Sequence, residues 1–265
     1  MASSADMENL RSKVIELSER DTSIEYIYIK PVALSKLIGL YKIKVNDFSF
    51  NRALRFTDVN GNFPSFSSFL RYPGILVKYL LQKITKKYVV NDPKPFLVTD
   101  AVDFIEKHIE EGSRVLEVGA GNSTIWFLAH GCRVTSFEHN RDWARDIEES
   151  AKRLKKHIPS MLEIQICEGD EAINSMALLD CDYDVILIDS MNAFTSRFEA
   201  IRVLKEKLSP GGILVLDNSD GVVNWKALAE MDGVISKRFT GYAYNCPVVC
   251  ETTIWSASDI KKSQQ

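Results

Sequence analysis

A chain of 265 residues has room for one large domain or a domain with an appendage, and an apolar content of 45% is ordinary for a soluble globular protein. The formal charge of −3 gives no global case for nucleic acid as a partner. The five cysteines, Cys132, Cys167, Cys181, Cys246 and Cys250, form no CxxC pair and accompany only four histidines, which argues against a zinc site or a disulfide framework.

The first stretch, MASSADMENLRSKVIELSERD, is polar and has no apolar signal core, and no apolar run approaches membrane length. The expected setting is a reduced cytoplasm without membrane contact, with Cys167 and Cys181 as small core residues. ENLRSKVIELSER predicts a helix, and SIEYIYIKPVALSKLIGLYKI a strand or a helix. NDFSFNRALRFTDVNGNFPSFSSFLRYPG reads as loop, with Asn60-Gly61 and Pro73-Gly74 as turns. ILVKYLLQKITKK then predicts a helix whose lysines crowd toward its C-terminal end. Between Lys30 and Lys87, eleven basic residues are opposed only by Asp47 and Asp58, a net of +9. Such segregation fits either a part that meets something anionic or a solvated helical surface.

From Asp100 onward the pattern is regular. TDAVDFIEKHIEEG has helical spacing, with Thr99 or Asp100 as cap and Gly112 as stop. RVLEVG (strand), NSTIWFLAHG (helix), RVTSFE (strand) and NRDWARDIEESAKRLKKHI (helix, ended by Pro159) follow. MLEIQICEG (strand), a short helix, YDVILID (strand), SRFEAIRVLKEKL (helix), SPGG (turn) and ILVLDN (strand) complete the alternation. β-branched strands alternating with helices predict a parallel sheet covered on both faces. GVISKRFTGYAY and VVCETTIWSA are separated only by NCP, too short for a crossover, and predict an antiparallel hairpin.

Ligands of such sheets bind beyond the carboxyl ends of the strands, where strand order reverses. The loop after the first strand is Gly119-Ala120-Gly121-Asn122-Ser123, two glycines leading into a helix start with free N–H groups. Glu138, ending the second strand, is placed to accept both hydroxyls of a ribose. A dinucleotide would fit equally well up to that point. Glu117 favours another ligand: a carboxylate inside a Val/Leu strand is costly unless paired, and an ammonium group supplies the pairing. S-adenosylmethionine has an amino-acid end as well as a ribose. Glu168-Gly169-Asp170, after the third strand, offers Asp170 to an adenine amine. Each acid taken singly is also explained as a cap or a surface carboxylate.

VLEVGAGNST, VTSFEHNRDW, EGD, YDVILIDS and LSPGGILVLDN resemble, in order, the motifs of class I S-adenosylmethionine-dependent methyltransferases, over about Pro95 to Ala257. VTDAVDFIE, the Gly-Asn-Ser-Thr loop and ETTIW look like a bacterial-type small-molecule branch. The resemblance implies an α/β fold: a Rossmann-like, doubly wound, mostly parallel seven-stranded sheet ending in an antiparallel hairpin. Residues 96–265 would form the cofactor-binding domain and residues 1–95 an N-terminal lid or interaction region. It also implies that Glu117, Gly119, Ala120, Gly121, Asn122 and Ser123 hold the amino-acid end of the cofactor. Glu138 would hold the ribose, and His139, Gly169 and Asp170 would flank the adenine.

The acceptor side is expected at Asp189, ending the fourth strand beside the cofactor, and at Asp217 and Asn218, ending the fifth. Their layout is similar to that of cation-dependent O-methyltransferases, which implies that Asp189, Asp217 and Asn218 hold a hard divalent cation such as Mg2+ or Ca2+. The lysine base those enzymes carry after the first Asp is absent from Asp189-Ser190-Met191-Asn192-Ala193-Phe194. The alternative is a metal-free Asp189 facing the acceptor, with Asp217-Asn218 closing a strand end by an Asx turn. Arg197 either orients an anionic acceptor or caps its helix.

Phe48, Phe50, Phe56, Phe63, Phe66 and Phe69, interleaved with Arg52, Arg55 and Arg71, suggest a lid over an anionic or aromatic small molecule. They equally suit an appendage core or a homodimer interface. The expected activity is O-methylation of a small molecule. Nucleic-acid methylation and a catalytically inactive cofactor-binding partner protein are the alternatives.

Overall fold

The computed structural model describes residues 56–58, 61–85, 94–154, 158–180, 182–190, 196–221, 224–244 and 246–263. Phe48, Phe50, Arg52 and Arg55, the strand-or-helix segment before them and the first expected helix lie outside the described residues.

The strands are β1 (Arg114–Val118), β2 (Arg133–Glu138), β3 (Leu162–Ile166), β4 (Tyr183–Ile188), β5 (Leu208–Leu216), β6 (Ser236–Ala243) and β7 (Cys246–Ser256). They form one sheet in the order β3-β2-β1-β4-β5-β7-β6. β1 to β5 run parallel, and β7 enters antiparallel to both β5 and β6. The expected fold class is therefore the observed one. Order reverses at β1, which pairs with β2 on one side and β4 on the other. That is the switch point where such sheets open a crevice.

The helices are α1 (Phe66–Thr85), α2 (Thr99–Glu106), α3 (Asn122–Ala129), α4 (Arg141–Lys152), α5 (Gly169–Ala177), α6 (Arg197–Leu204), α7 (Trp225–Glu230) and α8 (Ala257–Ser263). One face of the sheet packs Val115, Val134, Leu187 and Val215 against α2, α3 and α4. The other packs Leu116, Val118, Ile186 and Leu214 against α5, α6, α7 and α8. Each such side chain, once fully buried, contributes about 1.5–3 kcal/mol. Glu117, one residue from Val118, points to the α3 side, where its neighbours on the strand are apolar.

Three elements differ from their sequence patterns. α1 begins at Phe66, inside the segment that reads as loop, and runs through Pro73. Ser65 caps it, its hydroxyl accepting the Ser68 N–H at 3.1 Å, and Ser68 and Ile75 anchor it to β6 and β7. Tertiary packing there outweighs the hydrogen bond that proline removes. Ser209-Pro210-Gly211-Gly212 is no turn but a bulged start of β5: Tyr183 pairs with Leu208 and Val185 already with Ile213. A Cβ at Gly212 would lie 2.6 Å from the Tyr183 carbonyl, so only glycine allows that approach. α2 is shorter than its pattern and starts after Val98, without a side-chain cap from Thr99 or Asp100.

Candidate functional site

The site is built where β1 ends. Glu117 is fully buried. Its Oε2 accepts a hydrogen bond from Thr124 Oγ1 at 2.5 Å and from Ser136 Oγ at 2.9 Å, while Oε1 has no partner. Burial pushes its pKa up to about 7, against the pull of the Ser123, Thr124 and Ser136 hydroxyls. An orphaned buried acceptor of this kind is matched by a ligand that brings N–H donors and positive charge.

Gly119 turns the chain out of β1 with φ of +103°, and a Cβ there would lie 2.9 Å from the backbone oxygen of Asp189. The glycine thus lets the loops after β1 and β4 touch. Gly121 is extended and its Cβ position opens on free space. Its N–H donates to Thr124 Oγ1 at 2.9 Å, so a relay runs from backbone amide to hydroxyl to the Glu117 carboxylate. Asn122 and Ser123 open α3 with their side chains buried, and Asn122 Nδ2 donates to Lys94 O at 3.4 Å.

Glu138 ties the end of β2 to the same loop. Its Oε2 accepts the Ala120 N–H at 3.2 Å, and its Oε1 accepts those of His139 and Asn140 at 2.9 and 2.8 Å. The His139 ring Nδ1 lies 2.8 Å from the same Oε1. Trp143, from α4, donates its indole N–H to Ala120 O at 2.7 Å and covers this end of the loop. Gly169 has φ of +55° and lets Asp170 begin α5 exposed beside it, next to the β2 end through the Cys167 N–H bonded to Glu138 O at 3.1 Å. Glu117, Gly119, Ala120, Gly121, Asn122, Ser123, Glu138 and His139 are thus one contiguous cluster, with Gly169 and Asp170 at its margin.

Asp189 and Asp217 end neighbouring strands, held by the Asp189 N–H on Val118 O at 3.0 Å and the Asp217 N–H on Ile188 O at 3.1 Å. Between them sits Arg197, only 2% exposed. Its Nε donates to Ser190 O at 2.7 Å, one terminal nitrogen to Asp217 O, and the other to Asp189 Oδ1 at 3.4 Å. Arg197 is therefore neither a helix cap nor a group reaching for an acceptor. Ser196 supplies the α6 cap, and Arg197 clamps the loops after β4 and β5.

The proposed cation set fits poorly. Asp217 Oδ1 is already taken by Thr252 Oγ1 at 2.7 Å, and burial, with Asp189 nearby, raises the pKa of the Asp217 carboxyl well above its ordinary range. Asn218 adopts φ of +49° and offers its carbonyl to Gly221 N and Asn224 Nδ2, both at 2.8 Å. The Arg197 guanidinium already donates to Asp189 Oδ1 at 3.4 Å, so all three expected ligands have partners within the protein.

Several contributors escaped sequence reasoning. Thr124 and Ser136 are ordinary in a helix start and a strand. Glu251 is buried in β7, its Oε1 accepting from Ser219 Oγ at 2.9 Å and its N–H bonded to Asp220 Oδ1 at 3.1 Å. The available signal was the polar triplet Glu251-Thr252-Thr253 in an apolar strand, the same anomaly that exposes Glu117.

Residues 116–219 match the family model described as a methyltransferase domain. Over those residues the chain carries a methyltransferase domain. No curated protein sequence matches the chain. Among solved structures, the O-methyltransferase TomG of Streptomyces achromogenes, involved in tomaymycin synthesis and solved with S-adenosylmethionine, is 17% identical. The alignment covers 57% of this chain and 75% of that one, with a TM-score of 0.45. A putative O-methyltransferase from Klebsiella pneumoniae is 14% identical over 70% and 89% of the two chains, TM-score 0.47. A putative rRNA-methylase from Clostridium thermocellum is 19% identical over 61% and 96%, TM-score 0.47.

Proposed function

We propose that the protein transfers the methyl group of S-adenosylmethionine to a hydroxyl oxygen of a small molecule, without a metal ion at Asp189, Asp217 and Asn218. The observation that carries this is the approach of Gly119 to Asp189, which joins the cofactor loop to a carboxylate that keeps 28% of its side chain exposed. Glu117 Oε1 receives the ammonium of the cofactor, and the amides of the loop and of the α3 start receive its carboxylate. Glu138, already ordered by three backbone amides, uses its remaining lone pairs for the ribose, and Asp170 and His139 border the adenine.

In the transfer, the acceptor oxygen attacks the methyl carbon in line with the C–S bond. That bond breaks with its electron pair going to sulfur, leaving S-adenosylhomocysteine. The hydroxyl proton passes to the Asp189 carboxylate, which Arg197 orients. The cofactor supplies the leaving group, so alignment and proton removal are the protein's share.

A screen of hydroxyl-bearing small molecules, read by formation of S-adenosylhomocysteine, tests the assignment. Asp189→Asn is expected to slow turnover about 100-fold, the scale of one general base, with cofactor affinity kept. An unchanged rate, or transfer confined to RNA with steeply salt-dependent binding, would overturn it.

A further inference from the structure

α1 buries Ser68 and Ile75 against the hairpin, where the Tyr242 N–H donates to Ser68 Oγ at 2.8 Å and the Tyr72 and Tyr242 rings lie 4.5 Å apart. Its other side should be polar if water were its only neighbour. Instead Phe66, Phe69, Leu70, Val77, Leu80 and Leu81 are each between 50% and 77% exposed. At 100° per residue these positions fall within an arc of about 120°, one stripe along about four turns of helix. Phe63, just before the helix, is 71% exposed and extends the same apolar surface.

Charge borders the stripe with one sign. The helix sequence FSSFLRYPGILVKYLLQKIT contains Arg71, Lys78 and Lys83 and no acid; Arg71 pairs with Asp103 of α2 at 2.5 Å, so the border rests on the lysines. By helical spacing Lys78 falls on one margin and Lys83 on the other, and the sequence continues with Lys86 and Lys87. The whole stretch from Lys30 to Lys87 carries +9. An apolar face flanked by lysines is the pattern of a helix lying in a lipid interface, where long basic side chains reach the headgroups.

We propose that this stripe and its lysine borders dock the protein on an anionic lipid bilayer. Charge decides between occupants. A second copy would bring two basic borders together, and residues 24–43 of the same chain are themselves basic, whereas an anionic leaflet is complementary. The mode is lying on the surface: among the described residues no helix is long and apolar enough to cross a membrane. The sequence lacks an apolar run of membrane length, but a surface helix needs only one apolar face.

Cosedimentation of the full-length protein, without cofactor, tests this with two kinds of vesicle: phosphatidylcholine alone, and phosphatidylcholine with phosphatidylglycerol in equal parts. The protein is expected to pellet with the anionic vesicles and stay in solution with the neutral ones, and to be released as salt screens the attraction. Phe69→Ser with Leu70→Gln and Leu80→Gln removes exposed apolar surface only, and is expected to weaken binding about tenfold or more while S-adenosylmethionine still binds. Lys78→Glu with Lys83→Glu should give the same loss by charge alone. Equal behaviour with both vesicles, pelleting unchanged in both variants, or a dimer that the apolar variant dissociates would each overturn the proposal. None of these readouts depends on methyl transfer.

Discussion

Thr124 donates its hydroxyl to Glu117 across 2.5 Å, from the first turn of α3 back to the strand that precedes it. The same oxygen accepts the Gly121 N–H, so one hydroxyl fixes both the glycine loop and the buried carboxylate. Thr124→Val keeps the shape and removes both bonds. It is expected to cost about 1–3 kcal/mol of stability, read by chemical denaturation, and to weaken cofactor binding because the carboxylate loses a donor.

Glu117 also sets a pH dependence. Burial lifts its pKa to about 7 from an ordinary 4.5, so the folded chain holds this proton more tightly than the unfolded one. Its contribution to stability is therefore largest at and below the ordinary value and declines as pH rises toward 7, by about 3 kcal/mol in all. A bound ammonium offsets that loss. The rise in Tm on adding S-adenosylmethionine should be larger near pH 8 than near pH 6, and Glu117→Gln should remove the difference. Scanning calorimetry at the two pH values checks it.

Gly119 and Gly112 both hold a left-handed backbone, with φ of +103° and +91°, but their surroundings differ. A Cβ at Gly112 meets nothing within 4 Å, whereas at Gly119 it meets Asp189 O at 2.9 Å. Gly112→Ala is expected to cost only the strain of its backbone, about 1–3 kcal/mol, with cofactor binding intact. Gly119→Ala adds a clash between two site loops and is expected to abolish binding. Calorimetric titration of both variants separates strain from site geometry.

Asp217 distinguishes a metal-free site from a cation site. Its carboxyl is buried, which raises its pKa, and accepts from Thr252, a bond that Asp217→Asn keeps with nearly the same shape. Stability and turnover are expected within about twofold of wild type, and a chelator should leave turnover unchanged. Loss of activity in both experiments would restore the cation.

The sheet was legible because β-branched strands alternate with helices from Asp100 onward, and the NCP connection is too short for anything but a hairpin. The cofactor half of the site was legible through one anomaly, the acid inside RVLEV. The acceptor half was less so. Arg197 looks like a helix residue from its neighbours, and only the convergence of Ser190, Asp189 and Asp217 reveals its clamp. The start of α1 was hidden for a different reason: Pro73 and the serines argue locally for a loop, and contacts with β6 and β7, distant in sequence, overrule them.

On the proposed function, a single buried carboxylate selects the cofactor by its ammonium group. Titration of wild type and Glu117→Gln with S-adenosylmethionine and with methylthioadenosine, which keeps the nucleoside but has no amino-acid end, measures that directly. The substitution should weaken S-adenosylmethionine about tenfold or more and leave methylthioadenosine unchanged, as expected for one charge-assisted hydrogen bond. Equal weakening of both ligands, or no effect on either, would contradict it.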